Sequence, residues 1–319
     1  MRTYLLQRAL AGIVTLIGVT ILIFFAMRVL PGDPLAMMTS ESGVTHTLTE
    51  EELQAARAAL GLDRPYYQQY LSWMGDVAQG NLGRSFWRDE PINELIKRRG
   101  PITAQIALLA VALSWVIGVP VGILSAVRRN SLADYLSRVL VIFFVAVPAF
   151  WLALLVVLAG VLIFNWRPSL TVVQLWDDPL TNLQMTLGPA IVLGVGIAAL
   201  TARMTRSATL EILHDDYVRT ARAKGLREQL VVRRHVLRNA LLPVITVSGL
   251  ALGGLLGGSV AVERAFGVPG LGTALVMAFA QRDWMVIQNL VLLYGIVFTF
   301  VNLAIDVAYA ALDPRVAFR

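Results

Sequence analysis

The sequence predicts an all-α, polytopic membrane protein with six transmembrane helices, both termini cytoplasmic, and a small extracytoplasmic segment after the first helix. Three observations lead there. Hydrophobic residues make up 57% of the chain and charged residues only 15%, with a mean hydropathy of +0.67, well outside the balance of a soluble domain. Charge-free intervals long enough for a helix to cross the hydrocarbon, about 20 residues, recur along the chain. Basic residues gather in alternate loops, which in a membrane protein marks the cytoplasmic face.

The charge-free intervals are 9–27, 102–127, 139–166, 179–202, 239–262 and 284–305. They divide the chain into the N-terminus with its first helix (1–30), an extracytoplasmic segment (31–100), and a core of five helices (101–319) carrying a cytoplasmic loop at 203–238. The 128–138 loop has a net charge of +2 and the 203–238 loop +5, and Arg2 and Arg8 precede the first span. The opposite loops carry −3 (31–99), −1 (165–178) and 0 (263–283). One cluster disagrees, since Lys97-Arg98-Arg99 abuts the second span on the outer side. Its loop exceeds the roughly 60 residues within which the rule holds.

The overall charge of +6 and the sequence pI of about 10 do not point to nucleic acid, because the charges sit in short loops and form no extended basic face. Absence of cysteine excludes disulfides, thiolate metal sites and a cysteine nucleophile.

Each element has its own signals. The first apolar run is longer than a signal-sequence core and is followed by no small-x-small cleavage site, so it reads as an uncleaved helix. In the outer segment, Thr49 and Glu52 form a capping box and Gly61 ends that helix. The aromatics Tyr66, Tyr67, Tyr70 and Trp73 suit either the lipid headgroup layer or an external partner. Pro120, flanked by Gly118 and Gly122, is expected to kink the second span, and Pro148 the third. In the fifth, Gly249, Gly253 and Gly257 form a small-residue stripe for close helix packing, or line a gate. The glycine-rich run 263–272 reads as an outer turn or re-entrant segment, with Phe266, Pro269, Gly270 and Gly272 available for contact at the outer face. Asp306 in the last span is expected to be solvated or paired with Arg315.

The 203–238 loop contains a short helix whose ends are written in the sequence. Asp215 or Asp216 caps it, Tyr217, Arg219, Thr220, Ala221, Arg222, Ala223 and Lys224 continue it, and Gly225 supplies a left-handed terminus. Acids at the start and bases at the end complement the helix dipole, and Asp215 and Arg219 stand in the supportive i, i+4 order. Ala221, Ala223 and Gly225 leave one end narrow enough to enter a cleft of a partner. A basic loop resting on anionic lipid is the other reading of these charges.

The run Tyr217-Val218-Arg219-Thr220-Ala221-Arg222-Ala223-Lys224-Gly225 resembles the coupling-helix (EAA) loop of permease subunits of ATP-binding-cassette importers, in particular the dipeptide/oligopeptide/nickel branch. The resemblance extends over Leu30-Pro31-Gly32-Asp33-Pro34, Gly61-Leu62-Asp63-Arg64-Pro65, Gly80-Asn81-Leu82-Gly83, Phe266 with Pro269-Gly270-Leu271-Gly272, and Asp313-Pro314-Arg315. Arg219 stands where the general motif has Glu, which puts in doubt any ion pair carried over from sugar importers.

That resemblance implies a second, homologous permease, two cytoplasmic ATPases engaged through the coupling helix, an extracytoplasmic binding protein, and peptide as cargo. Nickel complexes, glutathione-like molecules and sugars are the alternatives. It also implies no catalytic, cofactor or metal site in this chain, with ATP and Mg held by the partner ATPases. Consistently, no G-x-x-x-x-G-K-[ST] phosphate loop occurs, since the only lysines are Lys97 and Lys224. A secondary transporter would show an internal repeat and a buried ionisable pair near the midplane, and no repeat is evident.

Overall fold

The computed structural model describes residues 2–29, 54, 63–166 and 171–312. The capping box at Thr49 and Glu52, Gly61, the 30–34 motif and Arg315 lie outside them. The elements are α1 (Arg2–Val29), α2 (Tyr66–Ala78), α3 (Ile92–Val127), α4 (Leu132–Ala146), α5 (Ala149–Phe164), α6 (Pro179–Ile212), α7 (Asp216–Ala223), α8 (Glu228–Val231), α9 (Leu237–Gly258), α10 (Val260–Phe266), α11 (Leu271–Gln281) and α12 (Trp284–Leu312). A π-helical turn, Val232–Val236, joins α8 to α9. Among the described residues, five helices are long and apolar enough to cross a membrane, and each of the pairs α4/α5 and α10/α11 forms one more candidate span.

Two helices make the spine. α3 and α6 lie side by side and run in the same direction: Gln105 meets Asn182 and Thr186, Gly118 meets Thr201, Gly122 meets Thr205, and Ser125 meets Arg206. A side chain at Gly118 or Gly122 would run into backbone carbonyls of Ala198 or Ala202, so the bare glycines set the approach. Neither Pro101 nor Pro120 ends α3. Instead of marking a break, the Gly118–Gly122 region is where the neighbouring backbone comes closest.

The third expected span is not one kinked helix. α4 and α5 meet at 98° around Val147 and Pro148. Proline disfavours a helical conformation in the residue before it, and Val147 is extended, with φ −76° and ψ 123°. Sharp as it is, the bend still carries the chain from one end of the α3/α6 pair to the other. α4 starts beside Ser125 and Arg206, whereas beyond α5 Gln174 bonds the Arg98 carbonyl and Asn182 the Val173 carbonyl.

α1 and α12 are antiparallel, with Arg8 3.3 Å from Asp306 and Gly12 packed against Thr299. Asp306 thus has an ion-pair partner in Arg8, and the expected Arg315 lies outside the described residues. α9 runs against α12 in the opposite sense, Gly249 on Ile305 and Gly253 on the ring of Phe298, which is close packing. Gly257 is exposed, with nothing within 4 Å of where a side chain would begin, and takes no part in that contact.

At the far end α2 folds inward. Trp73 is buried and stacks on Phe24, Tyr70 shares a hydrogen bond with Thr20, and the Trp73 indole N–H donates to Asn289. Trp73 is thus internal and Tyr70 half-buried, while Tyr66 and Tyr67 remain exposed. The Lys97-Arg98-Arg99 anomaly also finds an account. α3 begins ten residues before the charge-free interval, and its first turns hold Lys97 2.9 Å from Glu94 and Arg98 2.7 Å from Glu90, with Arg99 buried.

Candidate functional site

The loop helix α7 lies at the end of the bundle where α6 finishes and α9 begins. Asp215 occupies the N-cap position in extended geometry, although its side chain makes no capping bond. Gly225 adopts φ +78° and its N–H donates to the Arg222 carbonyl at 2.9 Å. This is a left-handed terminus that a side chain would strain. The expected Asp215–Arg219 pair is replaced by Asp216–Arg219 at 3.6 Å, one residue closer, because Asp215 lies outside the helical turn.

α7 has its own small core. Val218 and Ala221 are buried against Val231 and Val236, with Ile212, Leu213 and Leu226 closing the cluster. Ala221 therefore faces inward and cannot belong to a docking face. Asp215, Asp216, Tyr217, Arg219, Thr220, Arg222, Ala223, Lys224 and Gly225 are exposed.

Polar bonds fasten the helix to both long neighbours. Arg222 grips Glu228 with two donors at 3.0 and 2.7 Å and donates a third bond to the Leu213 carbonyl at the end of α6. The Glu228 carboxylate raises the Arg222 pKa, so this guanidinium stays charged. Tyr217 accepts from Asn239 at 2.9 Å and donates to the His235 carbonyl at 3.4 Å, reaching the π turn and the start of α9. Sequence reasoning missed Glu228, His235 and Asn239. The Arg222/Glu228 spacing spans a turn, which helix-periodicity rules do not cover.

At the opposite end, α10, the turn 267–270 and α11 fold around a buried carboxylate. Glu263 accepts from the Thr103 hydroxyl at 2.9 Å, the Ser259 hydroxyl at 3.3 Å and the Thr273 N–H at 3.1 Å. The Thr103 hydroxyl in turn accepts from the Leu271 N–H. Side chains at Gly270 or Gly272 would collide with Glu263, which explains both glycines. Phe266 is buried against Trp166 and Gly188. Phe266, Gly270 and Gly272 are thus internal, and only Pro269 is half-exposed; the turn is closed on a polar anchor and does not offer these residues as a contact surface.

Family comparison decides what this arrangement belongs to. Residues 118–318 match the family of binding-protein-dependent transport system inner membrane components, and residues 1–107 match the N-terminal domain of the same components. The chain belongs to that family. It is a multi-pass inner-membrane permease subunit of an importer, of a family without an ATPase site of its own.

Relatives of this permease are similar along their whole length. A putative peptide permease protein of Brucella ovis is 43% identical, with 99% of each chain covered. The di/tripeptide transport system permease protein DppB of Pseudomonas aeruginosa is 38% identical over 99% of each chain. The glutathione transport system permease protein GsiC of Escherichia coli is 36% identical over all of both. Among solved structures, an inward-facing form of the MetNI methionine ABC transporter aligns with a TM-score of 0.56 at 24% identity, covering 69% of this permease and 96% of that chain; it shares the fold.

Proposed function

We propose that this permease carries peptides, di- or oligopeptides, through a pathway formed with a second homologous permease. An extracytoplasmic binding protein would deliver the cargo, and two cytoplasmic ATPases, holding ATP and Mg, would drive the cycle. Peptide is favoured because relatives named as peptide or di/tripeptide permeases cover the full chain. The glutathione permease keeps a small γ-linked peptide within the same class.

The observation that carries the mechanism is the strapping of α7. Arg222 ties it to Leu213 and Glu228, and Tyr217 ties it to Asn239. A push on its exposed residues would therefore move α6 and α9 together, as a rigid lever in a two-state rocking of access. Tyr217, Arg219, Thr220, Ala223 and Lys224 form the face offered to the ATPase. In an Ala223→Cys permease, a bifunctional thiol reagent should join this position to a cysteine in the ATPase cleft, with yields that change on ATP binding. A permease that assembles and transports yet never crosslinks there, while a control pair does, would sink the docking assignment.

Six crossings are the reading best supported for the topology: α1, α3, the α4/α5 pair, α6, α9 and α12. Its support is the parallel course of α3 and α6, which requires the broken pair between them to return across the membrane. Glu263 bonds Thr103 near the start of α3, and Ser85 and Trp87, just before α3, bond Asp283 and the Gln281 carbonyl at the end of α11, so α10/α11 would begin and end on the outer side without crossing. With Arg8 beside Asp306, both termini then fall on the α7 side, which carries the basic loops.

A further inference from the structure

At the α7 end, α3, α4 and α6 enclose a cavity of about 320 Å³ that no part of the transport reading uses. Its walls are apolar, from Val121, Val141, Ile142 and Ala202, and its polar lining combines three arginines, Arg138, Arg203 and Arg206, with the hydroxyls of Ser125, Ser137 and Ser207. Among the described residues, one acid answers these arginines. Asp134, fully buried, holds Arg206 with bonds of 2.9 and 3.0 Å and lies 3.5 Å from Arg138. Arg203 is exposed and has no acid within ion-pair distance among the described residues, and the Arg138 Nε is buried without a hydrogen-bond partner.

The combination selects an amphiphile. A soluble anion would satisfy the arginines and leave the apolar walls wet; a hydrocarbon chain alone would leave the excess positive charge unanswered. Ile142, Val139 and Phe143 beside the cavity are exposed apolar residues, so its mouth opens on the surface that lipid tails would cover. Arg138 and Arg206 lie about two turns from the ends of α4 and α6, the depth at which a headgroup meets hydrocarbon. Basic pockets between transmembrane helices on the cytoplasmic side suit anionic headgroups.

We propose that this cavity is a binding site for one anionic phospholipid of the inner leaflet, its phosphate between Arg138 and Arg203 and one acyl chain along Val141 and Ile142. The site would fasten lipid to α6, the helix that ends at α7. Bound lipid would thus weigh on the same element that the ATPases push.

The test uses the full-length permease purified with its importer partners. Native mass spectrometry counts retained phosphatidylglycerol, and titration in phosphatidylcholine nanodiscs gives the affinity. The wild type should hold one more phosphatidylglycerol than the Arg138→Gln/Arg203→Gln variant, whose affinity at this site should fall roughly 10- to 30-fold. Ile142→Trp, which fills the apolar half and keeps every charge, should release the same lipid, whereas Arg128→Gln/Arg129→Gln, outside the cavity lining, should retain it. Both cavity variants leave the Asp134–Arg206 pair intact, and a thermal melt checks their folding. Equal retention of phosphatidylcholine, or unchanged retention in both cavity variants, would overturn the proposal. So would displacement by millimolar inorganic phosphate, which marks a soluble-anion site, or capture of the second permease instead of lipid by a photoreactive group at Ile142.

Discussion

A single methyl group at position 122 would meet the Ala202 carbonyl oxygen and the Thr205 side chain, each at 2.6 Å. Rigid backbone lies on one side, so the helices must separate. Gly122→Leu should therefore destabilise the permease by about 1–3 kcal/mol through overpacking, seen as a lower unfolding temperature in detergent. Asp134 makes the complementary case. It is fully buried and bonded by Arg206, Ser125 and the Asn130 N–H. Asp134→Ala leaves a partly buried guanidinium uncompensated, a loss of about 1–3 kcal/mol; replacing Arg206 by Met in the same chain should recover part of it, a coupling that a double-mutant thermal series reads directly. Nothing in the local sequence marks Asp134 for this role. Asp134 looks like any loop acid, and its partner is 72 positions away. The threonines at 201 and 205 and the glycines at 118 and 122 do share an i, i+4 spacing, a signal of matching faces that is legible once two helices are known to meet.

At the scale of elements, what could be read from sequence was local chemistry. The α7 helix ends where Gly225 predicts, because a left-handed terminus depends on that residue alone. Its ion pair to Arg219 moved from Asp215 to Asp216, because Asp215 lies outside the helical turn, and Ala221 turned inward because the small core under α7 draws on Val231 and Val236, which lie beyond the helix. Gly225→Val should strain the φ of +78° by about 1–2 kcal/mol and loosen the α7 terminus. Uptake in membrane vesicles should fall while the subunit is still inserted and assembled; unchanged uptake would show that the terminus does not transmit motion. The α4/α5 break illustrates the other limit. Pro148 announced a disturbance, but proline in a lipid-buried helix gives anything from a mild kink to a full break. The 98° value is set by where the two halves pack.

For the whole molecule, the proposed six-crossing arrangement predicts a labelling pattern. Cysteines introduced at Ser131 and Lys224 should react with a membrane-impermeant maleimide only from the cytoplasmic side, and those at Gln174 and Arg282 only from outside; reaction of Arg282→Cys from the cytoplasm would make α10/α11 a true crossing. Hydropathy and loop charge alone determined that this is a helical membrane protein and which intervals can cross, and Asp215, Asp216 and Gly225 marked the ends of the helix in its cytoplasmic loop. These follow from single residues meeting lipid, water or their own turn. Only the tertiary structure decided that α3 and α6 run parallel with their glycines and threonines in contact, that the outer turn closes on Glu263, and that Arg222 and Tyr217 strap α7 to two long helices. Each of those depends on which distant faces meet, and in a chain whose spans are uniformly apolar, hydrophobic patterning cannot distinguish one helix partner from another.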